Sequence, residues 1–172
     1  MSSTHEGAAS AQAAIALRVH TAAAEATRSL GARLGALLRA GDVVRLEGDL
    51  GAGKTTFVQG VVAAMGGAGR VTSPTFALVN DYPTAAGMIV HHMDAYRLGF
   101  AEQGEQAVDT FGLADLLEDG GVLLVEWSER IAALLPKDGL RVQFAYGADA
   151  DTRMITFTAT GARAAALLNA LR

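Results

Sequence analysis

The sequence predicts an α/β domain, with a mixed, mostly parallel central sheet flanked by helices. Three observations predict it. The β-branched run 43–47 (VVRLE) reads as a buried strand, and the run 121–126 (GVLLVE) is apolar on both faces, as a central parallel strand should be. Between the first run and an apolar helical stretch lies the glycine-rich segment 48–55 (GDLGAGKT), which gives the order strand, loop, helix. Alternating segments around 76–93 and 140–160 then add antiparallel pairs to the parallel core.

Taken in order, residues 1–14 are expected to form a flexible tail. They start small and polar, without the basic start and apolar stretch of a secretory signal. Residues 15–20 (IALRVH) suit a short edge strand. Residues 21–39 read as a helix with Thr21 as N-cap and Leu30, Leu34, Leu37 and Leu38 on one face. Gly41-Asp42 ends it and leads into strand 43–47. The helix after the loop runs through 56–65 to a break at 66–69 (GGAG). Segments 76–82 and 88–93 pair as strands across a turn at 83–87, and 102–108 and 113–117 are helical pieces separated at Gly112. After the strand at 121–126, Ser128 caps a short helix that runs to Leu135 and stops at Pro136. Segments 140–146 and 153–160 form a closing hairpin, followed by a helix from Ala162. With no repeat and no linker, residues 15–172 are expected to be one domain.

Composition excludes several classes of function. Hydrophobic residues make up 51% and charged residues 19%, enough for one core. The absence of cysteine rules out a disulfide framework, thiolate catalysis and cysteine-bound zinc, and fits a reducing, cytoplasmic setting. His91 and His92 are adjacent, so on a strand they point to opposite faces and cannot share one ion. The net charge of −4 comes with singly scattered Arg and Lys, which disfavours strong direct binding of nucleic acid. No apolar run approaches a membrane span.

The segment 48–55 matches the pattern G-x-x-x-x-G-K-[ST] without a gap. In such a loop Asp49, Leu50, Gly51, Ala52, Gly53, Lys54, Thr55 and Thr56 surround phosphate, with backbone N–H groups and a helix N-terminus aimed at its oxygens. Lys54 would reach the β- and γ-phosphates, and the Thr55 hydroxyl would ligate Mg²⁺. A nucleotide site also needs an acid at the end of a neighbouring strand. Glu126 ends the strand at 121–126 and Asp94 ends the one at 88–93, so both belong at the carboxyl edge of the sheet. Ser73 and Thr75 bracket Pro74; they suit either a phosphate-sensing loop or an ordinary Ser-Pro turn. Trp127 suits either packing or a gating role beside Glu126, and Arg97 either a phosphate contact or a surface charge.

Four spaced elements stand together: GDLGAGKT at 48–55, SPTF at 73–76, HMDAYRL at 92–98 and VEW at 125–127. In this order and in a small acidic domain, the chain resembles the TsaE (YjeE) family over about residues 21–135. The resemblance implies a single P-loop NTPase domain that binds ATP or ADP with Mg²⁺ and hydrolyses ATP slowly alone. It also implies docking on TsaB–TsaD, where hydrolysis drives or resets the complex that makes threonylcarbamoyladenosine in tRNA. By the same resemblance Thr55 and Glu126 share the metal, and Asp94 joins Lys54 and Glu126 as catalytic, orienting the attacking water. Thr27 marks the adenine pocket, and tRNA is met only through the complex. Ala95 and Ser128 depart from the family pattern, where a larger apolar residue and a proline are usual. The rival reading is a small P-loop kinase acting on a metabolite, against which stands the absence of Arg and Lys from 99–112, where a cationic lid would lie.

Overall fold

The computed structural model describes residues 15–75, 77–98 and 112–172. Its strands β1 (Ile15–Thr21), β2 (Val43–Glu47), β3 (Val79–Pro83), β4 (Ile89–Asp94), β5 (Val122–Glu126), β6 (Gly139–Tyr146) and β7 (Arg153–Thr160) form one seven-stranded sheet in the order β1-β7-β6-β2-β5-β4-β3. The inner pairs β6–β2, β2–β5 and β5–β4 are parallel, while β1–β7, β7–β6 and β4–β3 are antiparallel. Four helices, α1 (Ala24–Gly35), α2 (Lys54–Ala64), α3 (Leu113–Glu118) and α4 (Ala162–Leu171), and a 3-10 segment (Ser128–Leu134) complete the described elements. The mixed sheet with a parallel centre is the fold class read from sequence.

The sheet is apolar on both faces because both faces are covered. On one side α1, α2 and α4 pack Leu30, Leu34, Phe57, Val61 and Leu168 onto Val44, Leu46, Leu124, Val142 and Phe157. Phe57 is fully buried, its ring edge-on to Phe144 with centroids 5.5 Å apart. On the other side Met93, Leu123 and Val125 pack with Leu113, Ile131 and Leu135. Strand alternation assigns His92, Asp94, Leu124 and Glu126 to the α2 face, because Asp94 is the register partner of Glu126 and His92 that of Leu124.

Helices α1 and α2 meet almost backbone to backbone. A Cβ on Gly60 would lie 1.9 Å from the carbonyl oxygen of Arg28, and one on Gly31 would lie 2.1 Å from that of Phe57. Such contacts need glycine on both helices. They set how close the start of α2, and the loop before it, can come to α1.

Boundaries depart from the sequence reading in several places. The helix predicted over 21–39 spans Ala24–Gly35, because Thr21 is spent in β1, paired with Arg153. Thr21 therefore caps nothing; its hydroxyl bonds that of Thr27 at 2.8 Å. Past Gly35 the chain tightens into turns, with Leu37 N–H on the Leu34 carbonyl. Ser128 does not cap the segment that follows β5. Trp127 occupies the N-cap with left-handed backbone, and the Ser128 hydroxyl donates to Glu47 at 3.3 Å instead. Helix α2 begins at Lys54, inside the predicted loop. The tail over 1–14, the strand start at Phe76, the helical piece at 102–108 and nearly all of 99–112 lie outside the described residues.

Gly60→Ala tests the helix contact. Alanine gains about 1 kcal/mol in helix propensity, but here its methyl meets a backbone carbonyl that cannot move aside. The expected net effect is a loss of about 1–3 kcal/mol, read as a melting temperature lower by several degrees. An unchanged melting temperature would contradict the packing described.

Candidate functional site

Strands β2, β4 and β5 run parallel, so their carboxyl ends open on one edge of the sheet. There Glu126 pairs with Leu46 on one side and with Asp94 on the other. The loop after β2 and the first turn of α2 close over this edge. Together they enclose a cavity of about 340 Å³ lined by Leu50, Gly51, Gly53, Lys54, Thr55, Thr56, Ser73, Thr75, Asp94, Tyr96, Glu126 and Trp127. Residues singled out from four separate stretches of sequence thus meet at one place.

The loop curls because Gly51 (φ 77°) and Gly53 (φ 106°) adopt left-handed backbone, which a side chain would strain. Gly53 is the N-cap of α2 and brings no side-chain cap, so the N–H groups of the helix start are left to face the cavity. Lys54 is buried. Its ammonium donates to the carbonyls of Gly48 and Asp49, the latter at 3.0 Å, and lies 4.0 Å from the centroid of the Trp127 ring. Burial lowers the Lys54 pKa from its ordinary value. The negative field of Glu126, Glu129, Asp94 and Asp49 opposes that shift without cancelling it.

Each acid has its own set of donors. The Thr55 hydroxyl donates to Glu126 Oε1 at 2.8 Å, and His92 Nε2 meets the same oxygen at 2.8 Å. Ser73 and Thr75 donate to Asp94 Oδ2 at 2.8 and 3.1 Å, and the Tyr96 N–H donates to Oδ1 at 2.9 Å. Among the described residues only two non-glycine residues have positive φ, Trp127 (57°) and Leu78 (67°). Both adjoin these acids: Trp127 follows Glu126, and the Leu78 carbonyl accepts the N–H of Asp94 at 2.9 Å. Local backbone strain of this kind gathers where surrounding structure dictates the geometry.

Not every predicted residue lines the cavity. The Asp49 side chain is exposed, and Ala52 is buried behind the loop with its amide on the Asp49 carbonyl. Thr27 lines a second hollow of about 90 Å³ on the far side of the loop, with Ala24, Gly51, Gly53, Thr56, Asp151 and Arg153. Arg97 is exposed and outside both walls. Sequence reasoning missed Tyr146 and Arg153, a register pair at the turn end of the β6–β7 hairpin. The Tyr146 hydroxyl donates to the Leu50 carbonyl at 2.7 Å, and Arg153 donates to the carbonyls of Ala52 and Gly51 at 3.1 and 3.3 Å. It also missed the bond from His92 to Glu126. The aromatic that ends one alternating run and the arginine that begins the next were the only signal for the first pair.

The burial of Lys54 has a measurable consequence. The unfolded chain binds this proton more tightly than the folded one, so the wild type gains stability as pH rises from the lowered pKa towards 10.5. Lys54→Met removes the buried charge at similar length. It is expected to melt at or above the wild-type temperature at neutral pH, with the difference shrinking by about pH 10. Thermal denaturation at the two pH values checks this; a variant clearly less stable at neutral pH would contradict it.

The family model described as "Threonylcarbamoyl adenosine biosynthesis protein TsaE" matches residues 21–155. The tRNA threonylcarbamoyladenosine biosynthesis protein TsaE of Bacillus subtilis is 38% identical over 147 residues, covering 86% of this chain and 88% of that protein. Its namesake from Streptomyces coelicolor is 43% identical over 140 residues, covering 79% of this chain and 92% of the relative. The crystal structure of Bacillus subtilis YdiB superposes with a TM-score of 0.77 at 34% identity, over 92% of this chain and 95% of that one. The residues matched run from the end of β1 into β7 and take in every side chain of the cavity, and the chain belongs to the TsaE family of tRNA threonylcarbamoyladenosine biosynthesis proteins.

Proposed function

We propose that this chain is a Mg²⁺-dependent ATPase that binds and hydrolyses ATP to drive or reset a TsaB–TsaD transferase complex in the cytoplasm. The observation that carries the reading is the meeting of Lys54, Thr55, Glu126 and Asp94 around one cavity at the carboxyl edge of the sheet. Its volume of about 340 Å³ suits a small ligand. The loop N–H groups and the α2 N-terminus favour an anion there.

Each residue has a role within that reading. Lys54 exchanges the Gly48 and Asp49 carbonyls for oxygens of the β- and γ-phosphates. Thr55 and Glu126 would hold the metal. Their oxygens are 2.8 Å apart, and neighbouring ligand oxygens on an octahedral Mg²⁺ stand about 2.9 Å apart. Among the described residues no three His, Asp or Glu side chains are grouped to hold a metal alone, so phosphate and water must supply the remaining ligands. When bound, the ion neutralises charge developing on the transferred phosphoryl group. The hollow lined by Thr27, Asp151 and Arg153 shares Gly51, Gly53 and Thr56 with the main cavity, and in this reading the adenine end of the nucleotide lies against it.

Asp94 orients the attacking water. In the described structure its Oδ2 is held by two hydroxyls, those of Ser73 and Thr75, so the 73–75 loop controls how much of this carboxylate is available. A docked partner that shifts the loop would release Asp94, which accounts for hydrolysis being slow alone and faster in the complex. No helix among the described residues is long and apolar enough to cross a membrane. The net charge of −4 fits a protein that reaches tRNA only through its partners.

Phosphate release measured with and without TsaB–TsaD tests the proposal. The wild type is expected to be slow alone and strongly stimulated by the complex. Asp94→Ala should keep ATP binding by calorimetry and lose about 10²-fold or more of the stimulated rate, whereas Lys54→Met should lose binding itself. Efficient phosphorylation of a small metabolite, with no response to TsaB–TsaD, would instead establish the kinase reading.

A further inference from the structure

His92 lies in the middle of β4 with no exposed surface. It shares its face of the strand with Val90, and its ring lies near that of Tyr82. Packing alone selects apolar residues here, as Val90 shows. A histidine brings two nitrogens that must be satisfied, and only one is: Nε2 meets Glu126 Oε1 at 2.8 Å, while Nδ1 is buried with no hydrogen-bond partner. An orphaned buried nitrogen costs stability, so the ring is not accounted for by the core it sits in.

What the ring does offer is one directed donor. The Glu126 carboxylate accepts, so Nε2 carries the hydrogen. The terminal torsion of a glutamate is soft and takes no sharp rotamer, so neighbours must impose the orientation of its carboxylate. Thr55 supplies one constraint from α2 and His92 a second from β4, both on the same oxygen. We infer that His92 is a positioning residue that fixes the Glu126 carboxylate in the orientation that lets it share a divalent cation with Thr55. The inference rests on the magnesium reading above. It adds to it that metal affinity is set partly by a residue that touches neither metal nor nucleotide.

The test is Mn²⁺ binding to the protein–ADP complex, with free Mn²⁺ followed by electron paramagnetic resonance, and ADP affinity measured separately in a chelator. His92→Leu keeps the volume and removes the donor. His92→Gln carries an amide nitrogen at the reach of Nε2. The leucine variant is expected to bind Mn²⁺ about 10–100-fold more weakly than the wild type, with metal-free ADP affinity unchanged and the glutamine variant close to wild type. Thermal denaturation accompanies both. His92→Asn, polar but too short to reach Glu126, replaces leucine in the comparison should that variant not fold. Wild-type Mn²⁺ affinity in the variant lacking the donor, or an equal loss in the glutamine variant, would overturn the role of His92 alone. Failure of the wild-type protein with ADP to take up Mn²⁺ would bring down the magnesium reading and this inference together.

Discussion

The parallel register of β4 and β5 sets two carboxylates side by side, Asp94 against Glu126, on strands about 4.8 Å apart. Both side chains are nearly buried, where like charges repel far more strongly than in water. Such a pair persists only if each member is supplied with donors. Much of the local structure answers that demand: the 73–75 loop and the backbone after β4 serve Asp94, while α2 and the centre of β4 serve Glu126. Lys54 adds one buried positive charge beside two negative ones. A second cation, Arg130, lies over the rings of Tyr96 and Trp127 in the cavity wall, and under the proposed reading a triphosphate enters beside the two carboxylates together with a divalent cation.

Supports outside the cavity hold the glycine loop to the same geometry. A loop that aims its N–H groups inward turns carbonyls outward, and these need partners of their own. Tyr146 and Arg153 provide them for Leu50, Gly51 and Ala52, and the Arg153 guanidinium lies over the Tyr146 ring at 4.5 Å. On the opposite side Trp127 accepts left-handed backbone, at a cost of order 1–3 kcal/mol for a non-glycine residue. Its indole then covers the Lys54 ammonium and packs against Tyr96, with centroids 5.0 Å apart. The strain at Trp127 and the burial of Lys54 are thus linked, because the indole that follows the left-handed residue is what covers the ammonium.

How much of this the sequence discloses depends on the range of the interaction. The loop, the strands at 43–47 and 121–126 and the acids that end β4 and β5 were legible because each rests on neighbours within a few residues. Thr21 misled because a good cap residue also makes a good strand residue, and pairing with Arg153 decides between the two. Ser128 misled for a related reason: its hydroxyl found a better use on Glu47, on another strand. The Tyr146 contact spans 96 residues and the His92–Glu126 bond 34; the first leaves only an aromatic and an arginine flanking a turn, and the second leaves no local trace. They require the strand order β7-β6-β2-β5-β4, which periodicity does not reveal.

The resting state of Asp94 connects this geometry to regulation. A carboxylate oxygen offers about two acceptor positions, and on Oδ2 Ser73 and Thr75 take both. The hydroxyls that read in sequence as either a sensing loop or an ordinary turn are, in the structure, a clasp on the acid proposed to orient water. The two hydroxyls stand 3.0 Å apart, with both hydrogens committed to Asp94, and the carbonyl of the buried Pro74 between them accepts the Leu78 N–H at 2.7 Å. Hydrogen bonds to a charged group contribute about 1.5–3 kcal/mol each, so opening the clasp needs a competing interaction. Under the proposed reading, an acid held this way favours nucleotide binding over turnover until something moves the loop. In the proposed reading, where hydrolysis follows docking, that is the order of events required.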